Sequence, residues 1–250
     1  MKKVFISGSI AIKALPECVL QSLDKMMQNN LEILVGDASG IDEQIQKYFA
    51  KHKYQNVTVY SIYNQPRTLN SSDFKVKVID VEVESSRERE KQKEKDKAMT
   101  NDSEYSLVIW DGKSKGSYSN ILRSLEQSKP VRVYLDEVNN FIEQKKVTIP
   151  EIEYIYRKNN GYAAQEVVEY LLESNINQFK NTRELNKYLI ENKIIAKEES
   201  IYVPLIDKKF FIVETYQGKV SGLKFTNEFM QWFEQELKKV PHFEQDDMFG

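Results

Sequence analysis

Three short apolar runs, each broken by a glycine-bearing turn and followed by a helical pattern, set most of what this chain can become. Val4-Phe5-Ile6 runs into Ser7-Gly8-Ser9. Leu31 to Val35 runs into Gly36-Asp37-Ala38-Ser39-Gly40-Ile41-Asp42. Ser106 to Trp110 runs into Asp111-Gly112-Lys113-Ser114-Lys115-Gly116-Ser117. The runs are short and continuously apolar, which suits strands buried on both faces. A helical spacing follows each one: Val19, Leu20, Leu23, Met26 and Met27 after Pro16, then Ile45, Tyr48 and Phe49, then Ile121, Leu122 and Leu125. With two further strands at Val57 to Tyr60 and Val131 to Tyr134, the succession predicts an α/β fold. Its parallel sheet would be covered by helices on both faces.

Between the third and fourth strands the texture changes. Residues 61–74 carry turn chemistry, and Lys75 to Glu84 alternates as an edge strand would. Ser85 to Thr100 is so highly charged that it reads as an exposed helix with a solvated face. A polar stretch with Pro150 follows the last strand, and we place a linker at 143–160 between a first domain, 1–142, and a second, 161–240. The second domain reads as a helix at 161–173, a helix opened by Asn181 or Thr182, and a hairpin of Ile201 to Leu205 with Phe210 to Thr215. A helix from Thr226 to Lys239 closes it. Helix, helix, hairpin, helix is a winged-helix order, a small α+β unit. Residues 241–250 form a flexible acidic tail.

The three glycine turns lie at the carboxyl ends of parallel strands, where open α/β sheets bind ligands. A helix starting after such a turn offers unpaired N–H groups to an anion. The chemistry predicted is a nucleotide or nucleotide-derived ligand, with Ser114, Ser117 and Lys113 as added donors. No Walker A loop and no Gly-x-Gly-x-x-Gly occurs. Cys18 is the only cysteine and His52 and His242 are the only histidines, so no metal site is expected. A net charge of −2 argues against a nucleic-acid coat over the whole molecule. No apolar run approaches the roughly 20 residues of a membrane span, and a cytoplasmic protein is expected.

Four separated motifs in order, Ser7-Gly8-Ser9, Gly36 to Asp42, Lys95-Asp96-Lys97-Ala98-Met99 and Asp111 to Ser117, resemble the SLOG superfamily over residues 1–140. That group includes LOG phosphoribohydrolases, YspA-like proteins and the Rossmann-like domain of the DNA-processing protein DprA. The resemblance implies a nucleotide-derived ligand facing Gly8, Ser9, Gly36, Asp37, Gly40, Asp42, Ser114, Gly116 and Ser117. Asp111 and Gly112 of the same loop join this set. Asp42 would accept a ribose hydroxyl or cap the helix it begins. Arg67 would reach a phosphate. The LOG enzymes use a glutamate where this chain has Asn120, which cannot act as acid or nucleophile. Asp96 and Asp111 remain as candidate catalytic carboxylates, and binding is favoured over turnover.

The second domain resembles the C-terminal domain of phage antirepressors of the KilA-C type, on Thr182 to Ile195, the hairpin, and Leu223 to Phe229. This implies DNA or protein binding, with Arg183, Lys187 and Lys193 near the second helix and Lys208, Lys209 and Lys219 on the hairpin turns. In the tail, Gln245-Asp-Asp-Met248-Phe249 resembles the pentapeptide that binds the bacterial sliding clamp. Homo-oligomeric assembly is expected, and no membrane partner. The expected function is a sensor or regulator, of phage or defence setting, that couples a nucleotide pocket to a DNA- or protein-binding domain. The alternatives are a nucleotide N-glycosidase or deoxyribosyltransferase-like enzyme and a DprA-like DNA-processing protein.

Overall fold

The computed structural model describes residues 2–81 and 87–239, with the side chain of Tyr216 left aside. Residues 82–84 of the expected edge strand, the start of the charged helix at Ser85, and the clamp-like Gln245, Met248 and Phe249 lie outside the described residues. The chain divides into two compact units, Met1–Glu153 and Tyr154–Gly250.

The first unit is a mostly parallel sheet between helices. In chain order its elements are β1 (Lys3–Gly8), α1 (Glu17–Gln28), β2 (Glu32–Val35), α2 (Ile41–Lys51), β3 (Val57–Ser61), β4 (Lys75–Val78), α3 (Glu88–Asp102), β5 (Tyr105–Trp110), α4 (Lys115–Glu126), β6 (Val131–Leu135) and β7 (Asn140–Phe141). The sheet order is β4-β3-β2-β1-β5-β6-β7, parallel throughout except for β7, which pairs antiparallel with β6. Alternation sorts the strand residues onto two faces. Val4, Ile6, Ile33, Val35, Val57 and Val59 pack with Val19, Leu23, Ile45 and Phe49 of α1 and α2. Phe5, Leu34 and Tyr60 turn the other way, onto Met99 of α3. After β4 the chain crosses to the far side of β1, so strand order reverses between β1 and β5. That reversal is the topological switch point of an open α/β sheet.

Helix α5 (Ile149–Asn160) spans the division between the units and fills most of the stretch expected as a linker. Pro150 sits in its first turn, where a missing N–H costs nothing, and Ile152 is buried. The second unit continues with α6 (Ala164–Glu173), α7 (Thr182–Glu191), β8 (Ile195–Glu198), β9 (Ile201–Pro204), β10 (Phe211–Tyr216), β11 (Lys219–Phe225) and α8 (Asn227–Lys239). Its core is aromatic: Phe229 is fully buried among Phe210, Phe211, Phe225, Trp232 and Phe233.

The expected hairpin is corrected. Ile201–Pro204 pairs with Ile195–Glu198, and Phe211–Tyr216 pairs with Lys219–Phe225. Two turn residues with positive φ, Gln217 and Gly218, supply the tight reversal that the six residues between β9 and β10, 205–210, do not. Lys208–Phe210 instead form a short 3-10 turn that Asp207 caps.

Five of the described helices, α1, α2, α4, α6 and α7, stop with one device. A residue with left-handed φ, Asn30, Lys53, Ser128, Asn175 or Lys193, donates its N–H back into the last turn. The next residue, apolar or aromatic in four cases, closes the longer loop of the Schellman motif. Lys193 bonds Ile190 and Ile194 bonds Leu189. A lysine carries the Cβ penalty of the left-handed region, whereas glycine does not. Lys193→Gly is therefore expected to stabilise the second unit by about 0.5–1 kcal/mol, reduced somewhat by glycine's freer unfolded chain. A rise in the urea midpoint at constant slope checks it.

Candidate functional site

Each of α1 to α4 follows a parallel strand and so begins at the carboxyl edge of the sheet. None of the four has a side-chain hydrogen bond at its N-cap. In the second unit the device is present: Asn181 accepts from Arg183 and Glu184, and Glu166 accepts from Ala163. At the open edge, beside the switch point, lies a cleft of about 220 Å³. Ser7 and Gly8 of β1, Asp42 of α2, Arg67 of the 62–74 loop, and Gln92, Lys95 and Asp96 of α3 line it, with Gly116, Ser117 and Asn120 of α4.

The wall behind the cleft is an ion cluster around Asp37, which is fully buried. Its carboxylate accepts from Arg67 Nη2 at 2.8 Å, Lys95 Nζ at 3.0 Å, Ser61 Oγ at 2.8 Å and the Arg67 backbone N–H at 3.2 Å. Burial alone would raise its pKa, but the Arg67 hydrogen bond and the Lys95 charge outweigh it and hold the group well below the carboxylate range. The cluster pins the 62–74 loop. Thr68 Oγ1 donates to the Asp37 carbonyl, and buried Gln46 bonds the Gly36 carbonyl and the Asn70 N–H. Lys95 is only 2% exposed. The charged segment read as solvated therefore turns one cation inward, on the face that also buries Met99.

Two carboxyls face the cleft without such saturation. Asp42 accepts a backbone N–H from Ala38 at 3.3 Å. Burial pushes its pKa up to about 6; Lys95 opposes this, and the neighbouring Asp96 charge adds to it. Asp96 is raised too, by burial, against Lys95 and a hydrogen bond from Asn120. Asn120 is in turn held by Arg123, whose Nη1 donates to Asn120 Oδ1 at 2.9 Å. Two buried donors on residues that line the cleft, Ser7 Oγ and Gln92 Nε2, have no hydrogen-bond partner among the described residues.

The structure thus brings Gly8, Asp42, Arg67, Asp96, Gly116 and Ser117 together on one cleft. The other predicted residues sit behind it or beside it. Asp37 is spent on Arg67 and Lys95. Ser9 ties two loops together, its hydroxyl 2.6 Å from Ser114 Oγ and 3.3 Å from Ser117 Oγ, and accepting from the Asp111 N–H. Asp111 folds its own loop by accepting from Lys113 and Ser114 N–H. Those bonds overcome burial and lower its pKa, so its carboxylate is a turn cap away from the cleft. Gly112 serves that turn with φ 74°, and Gly40 has φ 90° with Ile10 against it.

Gly36 marks a close approach. A Cβ there would lie 2.3 Å from Asp42 Oδ2 and 3.1 Å from Lys95 Nζ. Gly36→Ala is expected to displace the Asp42 carboxyl and cost about 1–3 kcal/mol, read as a lowered denaturant midpoint.

Of the predicted DNA contacts, Lys187 lies near Glu191 at 3.8 Å and Lys209 near Asp207 at 3.4 Å. Arg183, Lys193, Lys208 and Lys219 are exposed. Acidic and basic residues nearly balance from Tyr154 onward. No described helix is long and apolar enough to cross a membrane, and no metal-binding cluster occurs among the described residues.

No protein-family model matches the chain, and no curated protein matches it. Among solved structures, one of DNA processing protein A from Helicobacter pylori, described for its single-stranded DNA binding mode, is similar at 16% identity and a TM-score of 0.39. The match covers 76% of this chain and 81% of that one.

Proposed function

We propose that the first unit binds a nucleotide-derived ligand in the cleft and that the protein works as a sensor rather than by turnover. The observation that carries this is the placement of buried, unpartnered donors and two unsaturated carboxyls at the sheet's switch point. Helix starts open to an anion surround the same edge. On this reading the SLOG likeness describes the first unit. The second unit, read as a winged-helix module, transmits the ligand state to DNA or to a protein. Its balanced charge supports a protein partner over a duplex. Calorimetry against nucleoside mono-, di- and triphosphates and cyclic nucleotides tests the pocket. Binding that Ser117→Trp abolishes is expected, and silence across the panel at millimolar ligand with folded protein refutes it.

A second reading has an observation of its own. Asp42 and Asp96 are carboxyls with raised pKa values in one cleft, the pattern of an acid–base pair. Release of free base from a nucleoside monophosphate, lost in Asp96→Asn, would favour an N-glycosidase, with Asp96 preferred to Asp111 because the Asp111 carboxylate accepts two N–H groups of its own turn.

A further inference from the structure

A sheet that does not close on itself has edge strands, whose free N–H and C=O groups are a template for another chain. The two units treat their edges differently. In the first unit β4 is exposed at every residue. Ile79 donates to Ser61 across the ladder, so by alternation Val76 and Val78 direct their backbone groups outward. A second copy laid antiparallel on that edge, centred at Val76 or Lys77, sets Lys75 against Lys77 or Lys77 against itself. Like charges directly opposite repel, and the edge is guarded.

In the second unit β10 has β11 on one side and no described strand on the other. Its sequence, Phe-Ile-Val-Glu-Thr-Tyr, holds neither lysine nor proline, the usual guards. Phe225 of β11 exchanges both backbone bonds with Tyr162, so Phe225 and its partner Phe211 turn their polar groups away from each other. By the same alternation the N–H and C=O groups of Val213 and Thr215 point to the open side. The register shift leaves this intact, because the extra residue, Ser221, belongs to β11. One face of the hairpin buries Phe211 and Phe225 in the aromatic core. It continues past that core through Leu223, Val213 and Val220, the two valines 45% and 39% exposed. The strand's one carboxylate is on the reverse face, where Glu214 meets Lys224 at 2.7 Å.

We infer that the occupant of this edge is a second copy of the chain, paired antiparallel β10 to β10 about a two-fold axis at Val213. Each Val213 N–H then donates to the other copy's Val213 carbonyl, and each Thr215 N–H to the other copy's Phe211 carbonyl. The Phe211 N–H is already given to Lys208. In this register Glu214 comes opposite Ile212 of the other copy, so no like charges face each other. The exposed valines meet across the axis and join the two apolar faces into one. A foreign strand would need a sequence to match; a second copy matches by symmetry. So short a pairing buries little, and the dimer is weak, with a dissociation constant on the order of 100 µM.

Sedimentation of the full-length protein at concentrations around that value should show reversible monomer–dimer exchange. Val213→Lys, at an exposed position, should weaken it at least about tenfold with unchanged circular dichroism, by setting two ammonium groups on the axis. Val213→Cys should form an interchain disulfide in oxidised glutathione, since the facing Cα atoms stand about 5.5 Å apart, within reach of the bond. Thr215→Cys, whose two copies lie on opposite sides of the axis, should not. Both carry Cys18→Ala to remove the native thiol. Linkage specific to position 213 upholds the inference even where Val213→Lys fails to fold. A protein that stays monomeric at millimolar concentration overturns it. So does a dimer that Val213→Lys leaves intact or that does not link at position 213. A monomer whose Val213 and Thr215 amides resist hydrogen exchange has its edge covered by some other segment, which overturns it as well.

Discussion

Asp37→Ala is expected to destabilise the first unit by about 3–5 kcal/mol, the usual cost of stripping one partner from a buried ion cluster. Its melting temperature should fall by on the order of 10 °C. The reason is what remains. Lys95 keeps its ammonium at 2% exposure with its nearest acceptor gone, Arg67 loses two hydrogen bonds, and Ser61 loses its acceptor. The 62–74 loop, anchored on the same carboxylate, loosens with it. The double variant Asp37→Ala/Lys95→Met should recover much of the loss, because removing both charges removes the orphan. The sign with pH is fixed by the depressed pKa. The contribution is full above the unfolded carboxylate value and is lost only as pH falls through the still lower folded one. The penalty should therefore be constant from pH 8 to about 5 and shrink in strong acid. A loss under 1 kcal/mol by chemical denaturation at pH 7 would sink the account.

The opposite sign holds five residues away. Asp42→Asn is expected to stabilise the ligand-free protein at pH 8, by up to about 3 kcal/mol at ~1.4 kcal/mol per pKa unit. Asp42 rises from 3.8 to about 6 on folding, so the folded chain binds its proton more tightly. Stability from this group is present below the unfolded value and is lost as pH climbs through 6. The asparagine variant lacks that loss, so its advantage should be largest above pH 7 and fade toward pH 4. A parallel pair of stability–pH curves would remove Asp42 from the set of strained groups. A carboxyl that weakens the fold and lines a cleft is the trade expected of a group kept for binding.

How much of this the sequence disclosed follows from the range of each interaction. Strands such as Val4-Phe5-Ile6 and Leu31 to Val35 announce themselves, because both faces are covered and every residue is apolar. Strand β7, two residues long, has no periodicity to read. The hairpins went astray for a local reason: Ile194-Ile195 continues the apolar face of α7, and only the left-handed turn at Lys193 shows that the helix has ended. At the site, the glycine turns located the edge of the sheet but not the cleft. Asp37 and Asp42 lie in one turn and look alike in sequence. One is neutralised by Lys95 and Arg67, residues 58 and 30 positions away, and the other is not. Lys95 was hidden by its neighbours, since a run of lysines and glutamates has low information about which one turns inward. The spacing of Lys95 to Met99, one helical turn, was the available signal.

The contrast between open first turns and locked last turns in the sheet unit carries a dynamic consequence. Backbone groups without fixed partners open at little cost, while a Schellman closure ties the chain to the turn before it. Amide exchange in α1, α2 and α4 is therefore expected to be faster in their first turns, on the carboxyl edge, than in their last. On the proposed reading, a ligand settling there would quiet the part of the unit with the most freedom to lose. It would give up affinity to do so, and in exchange would convert occupancy into a change of stiffness that needs no displacement of the sheet.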